Sequence, residues 1–164
     1  MSQDLTIRAA QENEIDIVAS LTVDAYAEYA ARMSPDAWSM FAQEIANVRG
    51  RMNDADIIVA ERDGALVGAV SLFRAWRGAQ EGSVGVRLLA VPPEERGTGI
   101  GRALMTHCID RARGMGARRV ALSTTQEMDA ARDLYERLGF TRDPALDHER
   151  APGVHIQGWT LELA

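Results

Sequence analysis

The sequence predicts an α+β fold: a mixed, mostly antiparallel sheet with a central parallel pair of strands and helices on both faces. Three observations support this fold class. Short segments of alternating apolar and polar residues recur along the chain, as expected for strands. Asp63-Gly64 lies between two apolar segments, which is a hairpin signal. Further along, a helical pattern separates two strand patterns, and a helical crossover of this kind joins parallel strands.

The length and composition are those of one globular domain. The chain has 164 residues, of which 46% are apolar and 26% are charged. This is enough for one hydrophobic core and short for two. No linker rich in Pro and Ser and no internal repeat divides the sequence. We therefore predict a single domain over residues 5–164.

The first half of the chain predicts one strand, two helices and a hairpin. Apolar side chains recur at helical spacing over residues 12–31. Ser34 and Pro35 form a helix start, with the serine as the cap and the proline in the first turn, and this second helix runs to about Arg49. The predicted strands are Leu5–Ala9, 56–62 and 65–76.

The second half alternates strands and helices. Strands are predicted at 83–91, 119–123 and 155–163, and helices at 99–114 and 130–138. Gly139 ends the second of these helices. Residues 142–153 are polar and contain two prolines, so they are predicted to form a loop before the last strand.

The composition excludes several classes of function. A net charge of −6 argues against general nucleic-acid binding, and no apolar segment is long enough to span a membrane. The N-terminus has no export signal and Cys108 is the single cysteine, which predicts a cytoplasmic protein without an internal disulfide. All 18 basic residues are arginine, a bias that predicts a GC-rich, bacterial genome. No His, Cys and Asp cluster has metal-ligand spacing, so no metal is predicted.

Three glycines stand where a helix is predicted to begin, in the segment from Arg96 to Arg102, RGTGIGR. Glycine weakens a helix, so the pattern indicates either a bent turn or a backbone that an anionic group can approach. A nucleotide P-loop is excluded because Gly101 is followed by Arg102 and not by Lys. The dinucleotide pattern GxGxxG also fails, since its last position falls on Arg102 or Leu104.

Two blocks of residues resemble the GNAT superfamily of N-acetyltransferases, which bind acetyl-CoA. The first is Arg96-x-x-Gly99-x-Gly101, placed after a strand that ends in Leu-Ala-Val-Pro. The second, residues 131–140, contains Leu134-Tyr135 followed by Gly-Phe, at the expected distance. The two blocks occur in the family's order, and the predicted order of strands agrees over nearly the whole chain.

The resemblance implies the ligand and its contacts. Acetyl-CoA would be the co-substrate, held between the strands of the splayed central parallel pair. The implied cofactor-binding residues are Leu89, Ala90 and Val91 beside the pantetheine arm, and Arg96, Gly97, Thr98, Gly99, Ile100, Gly101 and Arg102 around the pyrophosphate. Tyr135 would protonate the departing thiolate, although a core tyrosine on an amphipathic helix is the alternative reading of its spacing.

Two positions depart from the family's pattern. Met128 stands where many relatives have a CoA-binding asparagine, and Gly85 stands where many have a glutamate that acts as the base. Thr124, Thr125 or Gln126 are candidates to replace the asparagine contact. The base is not identified, and the candidates, each also explicable as a structural or solvated group, are Asp24, Glu28, Glu81, His148 and His155.

The resemblance predicts an N-acetyltransferase that moves an acetyl group to a primary amine by direct transfer in a ternary complex. The acceptor is a small molecule or a protein N-terminus, and Trp38, Met40 and Phe41 either border its pocket or fill the core. Two alternatives stay open: an acyl-CoA sensor without turnover, and an interaction module of the same fold. No nucleic-acid or membrane partner is expected, and a homodimer is left open.

Overall fold

The computed structural model of the chain describes residues 4–75, 81–124, 129–151 and 154–163. Its helices are α1 (Ile15–Tyr26), α2 (Pro35–Ala46), α3 (Val48–Arg51), α4 (Ile100–Gly114) and α5 (Asp129–Arg137). Its strands are β1 (Leu5–Ala9), β2 (Ala55–Arg62), β3 (Ala65–Phe73), β4 (Ser83–Ala90), β5 (Arg119–Thr124), β6 (Thr141–Arg142), β7 (His148–Ala151) and β8 (Val154–Glu162). Short 3-10 turns lie at Glu12–Glu14, Ala27–Arg32, Pro93–Glu95 and Pro144–Leu146.

The described strands form a mostly antiparallel sheet in the order β1-β2-β3-β4-β5-β8-β6, and β7 pairs with β8. Strands β4 and β5 are parallel, with Ser83 opposite Arg119 and Val86 opposite Leu122. The predicted α+β fold with a central parallel pair is therefore confirmed.

The chain divides into two compact units. The first consists of Met1–Leu72 and Leu88–His107, and the second of Phe73–Arg87 and Cys108–Ala164. The boundary falls within β3, within β4 and within α4, so all three elements contribute residues to each unit. The single domain over residues 5–164 stays a prediction.

The core of the first unit is formed by one face of α1 against the sheet. The buried side chains of this cluster are Ile15, Val18, Leu21, Ala25, Val48, Ile57, Val59, Ala69 and Ala90. The start of α4 packs against β3 at Gly68, where a Cβ atom would lie 2.8 Å from Ile100 and 3.0 Å from Leu104. A side chain at Gly68 would push this end of the helix away from the strand, so the glycine permits the close approach.

In the second unit, β5 pairs with β8 along the whole length of β5, from Arg119 opposite Glu162 to Thr124 opposite Gln157. The buried side chains include Val120, Leu122, Phe140 and Trp159. The Trp159 indole N–H donates to the Thr124 hydroxyl over 3.2 Å, so the polar group of each side chain has a partner inside this core.

The predicted loop at residues 142–153 was wrong in part, since it contains a 3-10 turn and strand β7. The turn lies against β8, because a Cβ atom at Gly158 would overlap the Leu146 Cβ atom. The Asp147 carboxylate accepts from the Gly158 N–H and from Arg142, at 2.8 and 2.7 Å. Strand β7 was not predictable from the sequence, because His148–Ala151 is short and does not alternate apolar with polar residues.

The two predicted N-terminal helices are shorter than their apolar patterns. The first is α1 flanked by 3-10 turns, and the second ends at Ala46 because Asn47 has φ −81° and ψ 66°. The Asn47 side chain then caps α3 by accepting from the Gly50 N–H over 3.1 Å. At the other end of α2, the predicted cap is confirmed, with the Ser34 hydroxyl accepting from the Ala37 N–H.

Candidate functional site

The end of β4 departs from regular strand geometry. The parallel ladder with β5 covers Ser83–Val86 of β4, and two residues later Leu88 has φ +58°. A leucine rarely adopts this left-handed conformation, because its Cβ atom approaches the following carbonyl oxygen. Leu88 and Leu89 are half-buried, whereas Ala90 is fully buried. The three residues predicted to flank the pantetheine, Leu89 to Val91, follow this irregularity directly.

Tyr26, the last residue of α1, contacts the end of β4. Its hydroxyl donates a hydrogen bond of 2.9 Å to the Leu89 carbonyl oxygen. The ring packs on Tyr29 and Phe41, with centroids 5.9 and 6.0 Å away. Tyr26 lies in the segment 12–31, for which apolar spacing predicted a helix. No local pattern could reveal that its hydroxyl bonds to Leu89, 63 residues away.

The glycine turn is exposed, and two of its glycines require a left-handed backbone. Gly97 has φ +83° and Gly99 has φ +86°. A Cβ atom at either position would meet no atom within 4 Å, so these glycines are required by backbone conformation and not by crowding within the chain. The open space in front of them is the property that an approaching ligand needs.

Helix α4 begins at this turn with its first amides directed out of the helix. The first helical hydrogen bond runs from the Ala103 N–H to the Gly99 carbonyl over 3.0 Å. Helical geometry therefore leaves the amides of Ile100, Gly101 and Arg102 without an intrahelical acceptor. The Ile100 side chain is buried and anchors the turn, whereas Arg102 is exposed. These amides, with the positive end of the helix dipole, can bind an anionic group.

Arg96 was predicted to lie around the pyrophosphate, and that contact stays a prediction. In the structure its guanidinium contacts the protein itself. It donates to the carbonyl oxygens of Val91 and Ala25, each at 3.0 Å. It also forms an ion pair of 2.6 Å with Glu28. Arg96 therefore fixes the path of the chain between β4 and the turn. Thr98 closes the turn from the other side, since its hydroxyl donates to the Glu95 carbonyl over 2.9 Å.

Tyr135 lies in the second unit, in helix α5. It is buried, with 6% of its surface exposed, and its ring packs on Phe140 with centroids 5.9 Å apart. The helix ends where the Phe140 N–H donates to the Tyr135 carbonyl and Gly139 takes φ +98°. The other predicted site residues all lie in the first unit, and the catalytic role of Tyr135 stays a prediction.

The candidates for a base have ordinary surroundings. Glu28 pairs with Arg96, the His148 Nδ1 atom lies 3.3 Å from the Leu146 carbonyl oxygen, and His155 lies 3.5 Å from Glu149. Asp24 and Glu81 are exposed. Gly85 is buried opposite Ala121 in the parallel ladder, and Thr124 accepts from Trp159. Thr125, Gln126 and Met128 lie outside the described residues.

Two further findings concern a metal ion and a membrane. Among the described residues, no group of three or more His, Cys, Asp or Glu side chains is placed to hold a metal ion. No helix in the described part of the chain is long and apolar enough to cross a membrane.

The side chains of α2 predicted to border the acceptor pocket or fill the core are not all buried. Trp38 and Phe41 pack together with ring centroids 6.1 Å apart, while Met40 is 73% exposed.

Comparison with known proteins gives a family and a fold. The model of the acetyltransferase (GNAT) family matches residues 15–140. A mycothiol acetyltransferase of Thermobispora bispora is 42% identical over 90 residues, which are 54% of this chain and 30% of that protein. Another, of Thermomonospora curvata, is 31% identical over 139 residues, 84% of this chain and 44% of that protein. The chain thus spans less than half the length of either relative.

A solved structure agrees on the fold. The PaiA N-acetyltransferase of Thermoplasma acidophilum, in complex with coenzyme A, is similar with a TM-score of 0.77. The similarity covers 94% of this chain and 98% of that one, at 15% sequence identity. Since it leaves out only a small part of the chain, the similarity extends over both compact units.

Proposed function

Because the chain belongs to the acetyltransferase (GNAT) family, we propose that it binds acetyl-CoA and transfers the acetyl group to a primary amine of a small molecule. The reaction is direct: the neutral amine nitrogen attacks the thioester carbonyl carbon in a ternary complex. A C–N bond forms, the C–S bond breaks, the thiolate takes a proton from Tyr135, and the amine proton leaves to a base.

The observation that carries the proposal is the exposed glycine turn at the start of α4. Its left-handed Gly97 and Gly99 present no side chain, and the amides of Ile100, Gly101 and Arg102 have no intrahelical acceptor. A pyrophosphate has the charge and the acceptor oxygens that such a turn binds. The exposed Arg102 adds one cation beside it.

The end of β4 supports the acyl part of the proposal. The pantetheine arm carries amides that pair with a strand backbone, as an added strand would. Leu89 and Val91 supply the backbone groups, and an N–H directed at the thioester oxygen would stabilise the negative charge that develops there. A cytoplasmic location belongs to the proposal, and a single, buried cysteine, Cys108, is compatible with it.

A small-molecule acceptor is favoured by the names of the two curated relatives, both mycothiol acetyltransferases. Their acceptor is not assigned to this chain, because each relative is more than twice as long as the part that matches. The amine must reach the thioester in its neutral form, so activity should rise with pH until the acceptor is deprotonated.

Calorimetry with acetyl-CoA is the first test, and it should show saturable binding of one equivalent. Release of free thiol is then measured across a panel of sugar amines, amino acids, polyamines and a peptide with a free N-terminus. Turnover with a small amine supports the proposal. Turnover with the peptide alone would mean that the acceptor is a protein N-terminus and not a small molecule. Binding of acetyl-CoA without turnover would favour the acyl-CoA sensor. No binding at millimolar acetyl-CoA would overturn both the enzyme and the sensor.

A further inference from the structure

Two side chains hold the backbone at the end of β4 from the side of α1. The Tyr26 hydroxyl donates to the Leu89 carbonyl over 2.9 Å. The Arg96 guanidinium donates to the Val91 carbonyl over 3.0 Å and is itself tied to the Ala25 carbonyl at the end of α1. Leu89 and Val91 are two residues apart, so the end of α1 restrains both ends of a three-residue segment.

This segment directly follows a leucine in a left-handed conformation. Leu88 has φ +58°, which a leucine adopts only where its surroundings require it. The Tyr26 hydrogen bond restrains the carbonyl group of the next residue, Leu89. Without it, Leu88 could return to an extended conformation and change the direction of the peptide that follows.

The planarity of the peptide bond transmits this restraint to a donor. The Leu89–Ala90 peptide is trans, since the described chain has no cis peptide bond. In a trans peptide the C=O and N–H groups point in opposite directions within one plane. Fixing the Leu89 carbonyl toward Tyr26 therefore fixes the Ala90 N–H on the opposite side.

We propose that Tyr26 is a positioning residue for acyl-CoA, which sets the peptide planes at residues 88–90 so that the strand end can receive the pantetheine arm and thioester. The inference rests on the proposed function and adds to it a residue of α1 with no place in the two sequence blocks. The hydrogen bond does not block the ligand, because a carbonyl oxygen can accept from two donors. By holding the strand end in place beforehand, the Tyr26 hydrogen bond reduces the conformational entropy that this segment loses when acyl-CoA binds.

The test compares two ligands in one variant, Tyr26→Phe, which keeps the ring and its packing. Acetyl-CoA contains the pantetheine arm, whereas adenosine 3′-phosphate 5′-diphosphate has the diphosphate and no pantetheine. The loss of one net hydrogen bond should weaken acetyl-CoA binding by roughly three- to tenfold. The affinity for the fragment should stay within about twofold, because the glycine turn is not altered.

The matched control is Tyr29→Phe, which removes a phenol hydroxyl from the ring next to Tyr26. It should leave the affinity for acetyl-CoA within about twofold of the unaltered chain. Steady-state kinetics give the second measurement, with Tyr26→Phe raising the KM for acetyl-CoA more than it lowers kcat.

The outcomes separate this inference from the proposed function. If the unaltered chain does not bind acetyl-CoA, both fail. If it binds and Tyr26→Phe binds as tightly, only the inference fails. Equal weakening of both ligands would assign Tyr26 a general structural role, and a fall in kcat at constant acetyl-CoA affinity would assign it to chemistry; either result overturns positioning.

Discussion

Gly99 has a left-handed backbone, and in the proposed function it also leaves room for the ligand. The two roles can be tested separately. In Gly99→Ala the left-handed backbone becomes strained by about 1–2 kcal/mol, and the new methyl group stands before the first amides of α4. We expect acetyl-CoA affinity to fall at least tenfold by calorimetry. Gly64→Ala is the matched control, since Gly64 has φ +79° and the same open surroundings in a hairpin turn.

The control should lose similar stability in urea unfolding and keep its affinity for acetyl-CoA. Equal affinity in both variants would mean that the turn does not hold the ligand. The sequence indicated that the three glycines either bend a turn or leave the backbone accessible to an anion. The structure shows that Gly97 and Gly99 have the left-handed backbone of a turn, and ligand binding there stays a prediction. The role of the Arg96 side chain was not foreseeable, because its acceptors lie on α1 and at the end of β4.

The proposed catalytic role of Tyr135 needs a kinetic test, because the burial of its side chain is equally compatible with packing in the core. Tyr135→Phe keeps the ring against Phe140 and removes only the hydroxyl group that would donate the proton. We expect kcat to fall by about 10²–10⁴-fold, the range for general acid catalysis, with acetyl-CoA affinity nearly unchanged. Unchanged turnover in a thiol-release assay would remove Tyr135 as the required acid.

At the scale of elements, an ion-pair network joins β1, the following 3-10 turn and β2. The Arg8 guanidinium donates to both oxygens of the Glu14 carboxylate at 2.8 Å and to Glu61. The Arg8 hydrogen bonds, together with the Gln11 N–H, lower the pKa of Glu14 to about 2. A group whose pKa is lowered by folding stabilises the folded state above its unfolded pKa, about 4.3, and loses this contribution as the pH falls toward 2.

Glu14→Gln should therefore reduce the free energy of unfolding at pH 7 by about 1–2 kcal/mol, given the partial exposure of the pair. The difference from the unaltered chain should shrink between about pH 4.3 and pH 2 in urea unfolding. Glu12→Gln, in the same turn, is the control. Glu12 forms a fully exposed ion pair with Arg49, so this substitution should change the free energy of unfolding less than Glu14→Gln does. A difference that does not depend on pH would contradict the ion-pair explanation.

The elements that the sequence predicted well are those with long apolar periods or strong end signals. The Asp-Gly hairpin, the Ser34 cap and the helix after the glycine turn all depend on residues close together in the sequence. Strand β7 was not predictable in this way, because it is stabilised by β8 and by Asp147, which binds the Gly158 N–H. Its own residues carry no pattern of a strand.

At the scale of the molecule, the two sequence blocks identified the family, and the family predicted the order of strands. The division into two units was not predicted, since it falls inside β3, β4 and α4 and no change in composition accompanies it. Net charge has limited value at this scale. A charge of −6 does not exclude an anionic ligand such as CoA, because the amides at the start of α4 act at short range.

Ligand binding gives the prediction that belongs to the whole chain. A ligand that binds only the folded state stabilises it by about 2.7 kcal/mol at a concentration of 100 times Kd. For a chain of 164 residues this corresponds to a rise in Tm of roughly 5–10 °C. Acetyl-CoA should produce this rise in a thermal melt, whereas ATP at the same concentration tests whether any adenine nucleotide suffices. An equal rise with ATP would argue for general phosphate binding at the turn, because ATP has no pantetheine arm to pair with the end of β4.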